Sequence, residues 1–361
     1  MRQHRNTMTS EARSPLVSVI VLGWNGREFL SDCLGSVLDQ DLPSSEYEVL
    51  YVDNGSRDGS SEFVRTRFPD VPVLALERNF GYAEGNNIGF RDTRGEFVVF
   101  LNQDTVAHRS WLRELVGGVR STPDIRAAHA NVIQPWYPEH EGLERWAPAS
   151  SAYTAELNRL GYAKYRKLES VSGPVDVLFL HGVSIIIHRS VVDELGYIFD
   201  PEFFAYAEDM DLGLRIRALG YRCVVIPAAV VYHKHRLKTD LSWATFVKTV
   251  RIIRNRYLAF YKVMALPEFA LMSTLLTLGS PLNAGEFGLH PVARIIYGIG
   301  LLPVTLVSLV VTLWHLPRFA AKRREVRART ARPGAWCLRA VWNGVAASRP
   351  PNARLRPDSS P

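Results

Sequence analysis

Cysteine is scarce. Cys33, Cys223 and Cys337 are the only three in 361 residues, and they lie far apart without metal-ligand spacing. That argues against a disulfide framework or a structural zinc site, and it fits a reducing compartment. An apolar core near the start is also missing. Residues 1–15 are polar and basic, which is not the pattern of a signal peptide and predicts a disordered lead-in. No tandem repeat is visible. Net positive charge is lacking in the body of the chain. The net charge is +7, yet eleven Lys or Arg against two Asp or Glu fall between Arg318 and Pro361, so the rest is close to neutral. A neutral body with a basic tail is not the footprint of a nucleic-acid groove, and no nucleic acid is expected as a partner. Finally, the turn after the first apolar run has no G-x-G-x-x-G, which leaves a dinucleotide dehydrogenase unsupported.

What is present is an alternation of apolar runs and helical spacing. Leu16–Leu22, Glu48–Val52, Val71–Leu76 and Phe97–Leu101 read as strands. Between the first two, Phe29, Leu30, Cys33, Leu34, Val37 and Leu38 recur at helical spacing. Phe97 to Leu101 is apolar without alternation, as in a strand buried on both faces. Strands alternating with helices predict an α/β fold with mostly parallel pairing and right-handed crossovers. Further strands are expected over Ala127–Ile133, Val175–Leu180, Val183–Ile187 and Cys223–Val231. Pro135 to Pro174 is less periodic and rich in aromatics (Trp136, Tyr137, Trp146, Tyr153, Tyr162, Tyr165), which either cover the core or stack on sugar faces.

Three strand ends carry polar clusters: Asn25, Asp53 to Asp58, and Asn102 to Asp104. In an open α/β sheet, ligands bind beyond the carboxyl ends of the strands, so these clusters converge on one edge. Asp104 can hold a hard divalent ion together with substrate phosphates, or cap the following helix. Asp53 suits a ribose hydroxyl, or closes an Asx turn.

The stretches VSVIVLGWNG, YVDNGSRDGS, RNFGYAEGNNIG and FLNQDT, in that order, resemble the nucleotide-binding half of a family 2 glycosyltransferase of the GT-A fold. Phe203 to Arg215, FFAYAEDMDLGLR, is similar to that family's acceptor-side motif, and the spacing resembles its rhamnosyltransferase-like branch. The resemblance covers roughly residues 16–260. It implies inverting transfer of a sugar from a nucleotide diphosphate, such as dTDP-rhamnose or a UDP-hexose, to an acceptor hydroxyl with Mg²⁺ or Mn²⁺. The implied donor contacts are Asn25, Asp53, Asp58, Asn79, Gly85, Asn86, Asn87, Asn102 and Gln103. The implied metal ligands are Asp104 and His233, with His235 as the fallback. The family's metal motif is commonly Asp-x-Asp; here it is Asn102-Gln103-Asp104, one negative charge fewer, and a weaker metal requirement is expected.

Glu208-Asp209-Met-Asp211-Leu-Gly-Leu-Arg215 opens a helix. Carboxylates in a first turn are favoured by the helix dipole, and Asp211 can pair with Arg215. An acceptor hydroxyl needs a base within hydrogen-bond reach, and the resemblance puts Asp209 in that role with Glu208 beside it. Adjacent carboxylates raise one another's pKa. Arg251, Arg254 and Arg256 either hold phosphate or form a solvated basic face.

Ile295 to Trp314 is uncharged for about 20 residues, or about 30 Å of helix, one bilayer core. Phe269 to Leu282 is apolar but shorter. A single span would put the catalytic part and Lys322-Arg-Arg324 on opposite sides, against the positive-inside rule. A helical hairpin or an interfacial helix pair keeps both ends cytosolic. The expected layout is a lead-in (1–15), a donor half (16–134), an acceptor half (135–262), an apolar membrane-associated region (263–317) and a basic disordered tail (318–361). The expected enzyme acts at the cytoplasmic face of the membrane on a lipid-linked or cell-envelope glycan. The rival readings are a sugar nucleotidyltransferase, for which a Gly-rich basic first loop is expected, and a membrane-tethered nucleotide- or glycan-binding protein without turnover.

Overall fold

The computed structural model describes residues 14–133, 151–169, 171–234, 242–279, 291–332 and 335–345. The apolar runs form a central sheet. Its first four members are β1 (Val17–Gly23), β2 (Tyr47–Asp53), β3 (Val73–Ala75) and β4 (Phe97–Asn102), joined by helices α1 (Arg27–Leu38), α2 (Ser60–Arg67) and α3 (Gly81–Arg91). They pair in parallel in the order β3-β2-β1-β4, as crossover helices require. The register sets Gly23 beside Asp53 and Leu22 beside Asn102, so the three polar ends share one edge. Helix α1 buries Leu30, Cys33, Leu34 and Val37 against one face, where they join Val19, Val99 and Leu101 in the larger core.

The second half of the sheet is mixed. Next come β5 (Thr105–Ala107), α4 (Trp111–Arg120) and β6 (Ile125–Ile133), then a two-stranded hairpin of β7 (Ser151–Leu157) and β8 (Ala163–Glu169). They are followed by β9 (Val175–Asp176), β10 (Ser184–His188), α5 (Val191–Leu195), α6 (Glu208–Ala218) and β11 (Arg222–His233). Strand β10 runs antiparallel between β4 and β6, and β5 and β9 are antiparallel to β11. All-parallel pairing therefore ends at β4. Where β11 pairs with β6, residues 227–229 bulge out between Ile226 and Val230, because Pro227 has no N–H to give a ladder. Asn131 caps the bulge by donating to the Pro227 carbonyl, 3.2 Å away.

The hairpin was not legible as strands. Its turn is closed by Asn158, whose Oδ1 accepts from the N–H of Leu160 and Tyr162 at 3.0 Å each. Tyr162 donates to the Leu276 carbonyl, 2.7 Å, so it serves packing. Tyr153 and Tyr165 lie on the hairpin strands, whereas Trp136, Tyr137 and Trp146 lie outside the described residues. The strand expected over Val175–Leu180 is only Val175–Asp176.

Four helices follow: α7 (Trp243–Val263), α8 (Leu266–Leu278), α9 (Pro291–Arg329) and α10 (Trp336–Asn343). With α6 and the hairpin they enclose a second core around Phe203, Tyr257, Phe260 and Phe319. This corrects the expected disordered tail: residues 318–329 continue α9 and 336–343 form α10, both packed on this core. The basic side chains explain it. Arg323 donates to the Tyr261 carbonyl, Arg327 to that of Val263 (3.2 Å), Arg329 to that of Glu194 (2.7 Å) and Arg332 to that of Arg217. Those carbonyls end α7, α5 and α6, where cations are favoured by the helix dipole. Residues 346–361 and the lead-in 1–13 lie outside the described residues.

Candidate active site

The polar edge of the sheet, where donor contacts are expected, is built from two interlocked loops. Asn25, at φ 48°, accepts from the Arg57 N–H (2.8 Å), and its own N–H reaches Ser56 Oγ (2.9 Å). Asp58 accepts from the Arg27 N–H at 2.9 Å and from Ser60. Both line a cleft of about 540 Å³ with Arg27, Glu28, Ser31 and Phe63. Asp53 is buried and accepts from the Ser56 N–H (2.8 Å) and from the Ser61 hydroxyl, so it organises its own loop. Gln103 folds back over the first loop and donates to the Trp24 carbonyl, 3.1 Å. A Cβ at Gly23 or Gly26 would lie within 2.4 Å of its side chain, and at Gly23 equally close to the Tyr51 hydroxyl, so a larger residue at either place would displace Gln103 from this position.

Helix α3 connects the halves. Asn79 accepts from the Gly81 N–H (2.7 Å) and from Asn54, which sequence reasoning did not single out. Asn54 also donates to the Gly81 carbonyl and accepts from the Phe80 N–H. Gly85 leaves room for Leu22, and Asn86 is buried, donating to the Tyr82 carbonyl. Asn87 clasps the Phe199 backbone at both ends, 2.8 and 3.1 Å. In this structure Asn86 and Asn87 tie the helix internally and to the acceptor half.

The antiparallel pairing of β5 with β11 aligns His233 with Thr105 and brings the expected metal ligands together: His233 Nε2 lies 3.2 Å from Asp104 Oδ2. Asn102, two residues before Asp104 at the end of β4, accepts with its carbonyl from the Thr105 hydroxyl. Among the described residues, no three His, Cys, Asp or Glu side chains gather closely enough to hold a metal by themselves. A carboxylate and an imidazole fit an ion that takes its remaining ligands from substrate phosphates and water. Nearby, burial pushes His181 down to about 3 and His129 down to about 4, which leaves both neutral.

The acceptor-side carboxylates sit at the start of α6. The turn before them is strained: Phe204, Tyr206 and Ala207 have φ of 62°, 73° and 61°. One fully buried side chain holds it, another residue sequence reasoning missed. Asn255 Nδ2 faces the carbonyls of Phe203, Ala205 and Tyr206 at 3.0, 3.1 and 2.7 Å. Asp209 Oδ2 accepts from the Gly182 N–H (2.8 Å) and Oδ1 from the Met210 N–H (2.7 Å). Burial raises its carboxyl to about 6 even though both N–H groups and Arg256 pull it down. Glu208 is buried, with Oε2 lacking a partner; burial and then the charge of Asp209 push it well above the usual carboxylate range. Burial and the neighbouring Asp209 charge thus both disfavour the ionised form of Glu208.

Gly182 and Val183 join the two regions. Val183 accepts from the Asn102 N–H (3.0 Å), Gly182 just before it donates its N–H to Asp209, and Tyr82 donates to the Gly182 carbonyl (2.7 Å). The strand end bearing Asp104 and the carboxylate Asp209 therefore flank one short segment.

Beneath α6 lies a buried charge network. Lys262 Nζ contacts Asp200 (2.6 Å) and Asp211 (2.9 Å), Arg215 pairs with Asp211 (2.8 Å), and Lys322 reaches Asp200 (2.6 Å). Burial pushes the Asp200 carboxyl up, but the two lysines override it and hold it at about 2.

The model of glycosyl transferase family 2 matches residues 18–196. The chain carries a family 2 glycosyltransferase domain. Its sheet and layers are those of the GT-A fold. GalNAc-T7, solved with UDP, GalNAc and Mn²⁺, superposes with a TM-score of 0.56 at 16% identity, over 75% of this chain and 51% of that one. The mannosyltransferase PcManGT of Pyrobaculum calidifontis, solved with GDP-Man and Mn²⁺, gives 0.52 at 20% identity, over 83% and 88%. Among curated relatives, the glycosyltransferase AglE of Haloferax volcanii is 36% identical over 111 residues, 30% of this chain and 36% of its own length. The N-acetylglucosaminyl-diphospho-decaprenol L-rhamnosyltransferase of Mycobacterium tuberculosis H37Rv is 28% identical over 221 residues, 51% and 66%. The family match ends before α6, and the acceptor-side carboxylates lie beyond it.

Proposed function

We propose that this chain is an inverting hexosyltransferase of the rhamnosyltransferase-like kind. It takes a sugar from a nucleotide diphosphate (dTDP-rhamnose or a UDP-hexose) and delivers it to a hydroxyl of a lipid-linked or cell-envelope glycan at the cytoplasmic face of the membrane. The observation that carries this reading is the Gly182-Val183 segment, which sets Asp209 beside the strand end bearing Asp104. The M. tuberculosis relative supports the rhamnosyl donor and lipid-linked acceptor by its name.

In the reaction the acceptor oxygen forms a bond to the anomeric carbon while the bond from that carbon to the diphosphate breaks. Asp209 takes the acceptor proton as the hydroxyl attacks. Its direction is fixed by two backbone N–H groups, so it meets the hydroxyl without reorganisation. Asn25, Asp58 and Gln103 shape the nucleotide cleft. Asp104 and His233 are the residues that would hold Mg²⁺ or Mn²⁺, which supplies charge to offset the departing diphosphate. The panel experiment is direct: the purified chain is offered nucleotide sugars and lipid-diphosphate glycan acceptors, and nucleoside diphosphate release and product anomeric configuration are read. Acceptor-dependent release with inversion supports the proposal; a retained anomer, or no turnover with any donor, overturns it.

A further inference from the structure

The two helices expected at the membrane expose large apolar side chains, and α9 buries hydroxyl residues beside them. Along α9, Thr305, Ser308 and Thr312 are 0% exposed, each with its hydroxyl on the carbonyl four residues back, 2.6–2.8 Å. Several apolar side chains of the same turns face outward: Leu306 46%, Val310 66%, Leu313 53% and Trp314 78% exposed. Helix α8 is mixed: Ser273 and Thr277 are buried together with Phe269, Met272 and Leu276, while Leu266, Leu271 and Leu278 are exposed. A helix facing water buries its apolar stripe. One packed on protein within lipid does the reverse, placing small hydroxyl residues at the helix contact and aliphatic ones outside.

The same helix is fastened to the domain along its length. Val304, Leu309 and Leu316 pack against the second core, Phe319 and Val326 belong to it, and Lys322 enters the buried network at Asp200. A helix glued to the domain at Val304 and again at Val326 cannot cross a bilayer that the domain does not enter. Beyond Trp314 the exposed residues turn cationic at Arg318 and Arg324, as suits an anionic headgroup layer.

We propose that the outer face of α9, with the exposed leucines of α8, lies in the plane of one leaflet of an anionic bilayer, so that the chain is monotopic. This rests on the membrane placement proposed above and selects the interfacial arrangement over a helical hairpin. It would set the acceptor side of the catalytic cleft at the level of a lipid-linked substrate.

The test uses the full chain and preformed vesicles of phosphatidylcholine with phosphatidylglycerol. Flotation should show binding, and Val310→Glu and Trp314→Glu should each weaken it about tenfold, roughly the partition loss of one apolar side chain. Both positions are outward, so thermal unfolding and turnover on a short water-soluble acceptor should stay at wild-type levels. Cysteines placed at Gly300 and Arg324, both exposed, should both react with an impermeant maleimide added outside the vesicles; the three native cysteines are buried. Labelling of only one position means a span and overturns the in-plane arrangement while membrane binding stands. No flotation removes the bilayer as occupant. A dimer that Val310→Glu dissociates makes the face a contact between copies of this chain, which also overturns the proposal. Loss of turnover on the soluble acceptor in Asp209→Asn but not in Val310→Glu keeps the catalytic reading separate from this one.

Discussion

The two acidic regions of the cleft are built in opposite ways. Asp104 ends a run of sheet and meets His233 across one antiparallel pair, so its place follows from strand register. Asp209 sits on a strained turn held from below by α7 and α9, with both oxygens on backbone N–H groups in a desolvated pocket. The first arrangement leaves a carboxylate and an imidazole together at a strand end, as binding an ion or phosphate requires. The second fixes one carboxylate in direction and lifts its pKa, as proton transfer requires. In the proposed reading, a sheet edge makes the binding site and a buried polar framework makes the base.

If that contrast is right, damage to the framework should be costly and damage to the donor side's surface charges should not. Lys262→Met leaves Asp200 and Asp211 short of a buried cation, and breaking such a network typically costs about 3–5 kcal/mol. The donor-side pair Arg113–Asp41 is solvent-exposed, and Arg113→Met should cost under about 1 kcal/mol. Urea unfolding of both variants checks this, and equal losses would break the comparison. Asn255→Leu comes next. It strips a donor from three carbonyls of the 203–206 turn, at about 1–3 kcal/mol. Turnover should fall while donor affinity measured by calorimetry holds. A parallel loss of donor affinity would mean the framework serves both regions alike.

Much of the donor edge was legible because it is local. Each strand end is polar just after an apolar run, and parallel order follows from alternating helices, so Asn25, Asp58 and Asp104 could be placed from sequence. Asp104 and His233 could be named separately, but their 3.2 Å contact depends on an antiparallel strand that periodicity does not reveal. The framework was not legible. Asn255 acts on a turn about fifty residues away, and Lys322 reaches back to Asp200 from a stretch whose composition reads as a solvated basic tail. In sequence, a cation that caps a distant helix looks the same as one in water. The β7–β8 hairpin escaped because its polar and charged residues blur the alternation.

The smallest expected effect is in pH dependence. Asp209 must be ionised to accept a proton, and its carboxyl lies at about 6, so turnover should fall as pH drops through 6 and level off above it. Asp209→Asn should leave a residual rate without that limb. A limb that survives the substitution belongs to another group.

The division of labour is tested most directly by measuring donor affinity and single-turnover rate together in Asp104→Ala and Asp209→Asn, with Mn²⁺ present. The account predicts that Asp104→Ala loses metal-dependent donor affinity. Asp209→Asn should bind donor as the wild type does and lose about 10²- to 10⁴-fold in rate, the usual span of general-base catalysis. The reverse pattern, with donor affinity lost in Asp209→Asn and a normal rate per bound donor, would contradict it.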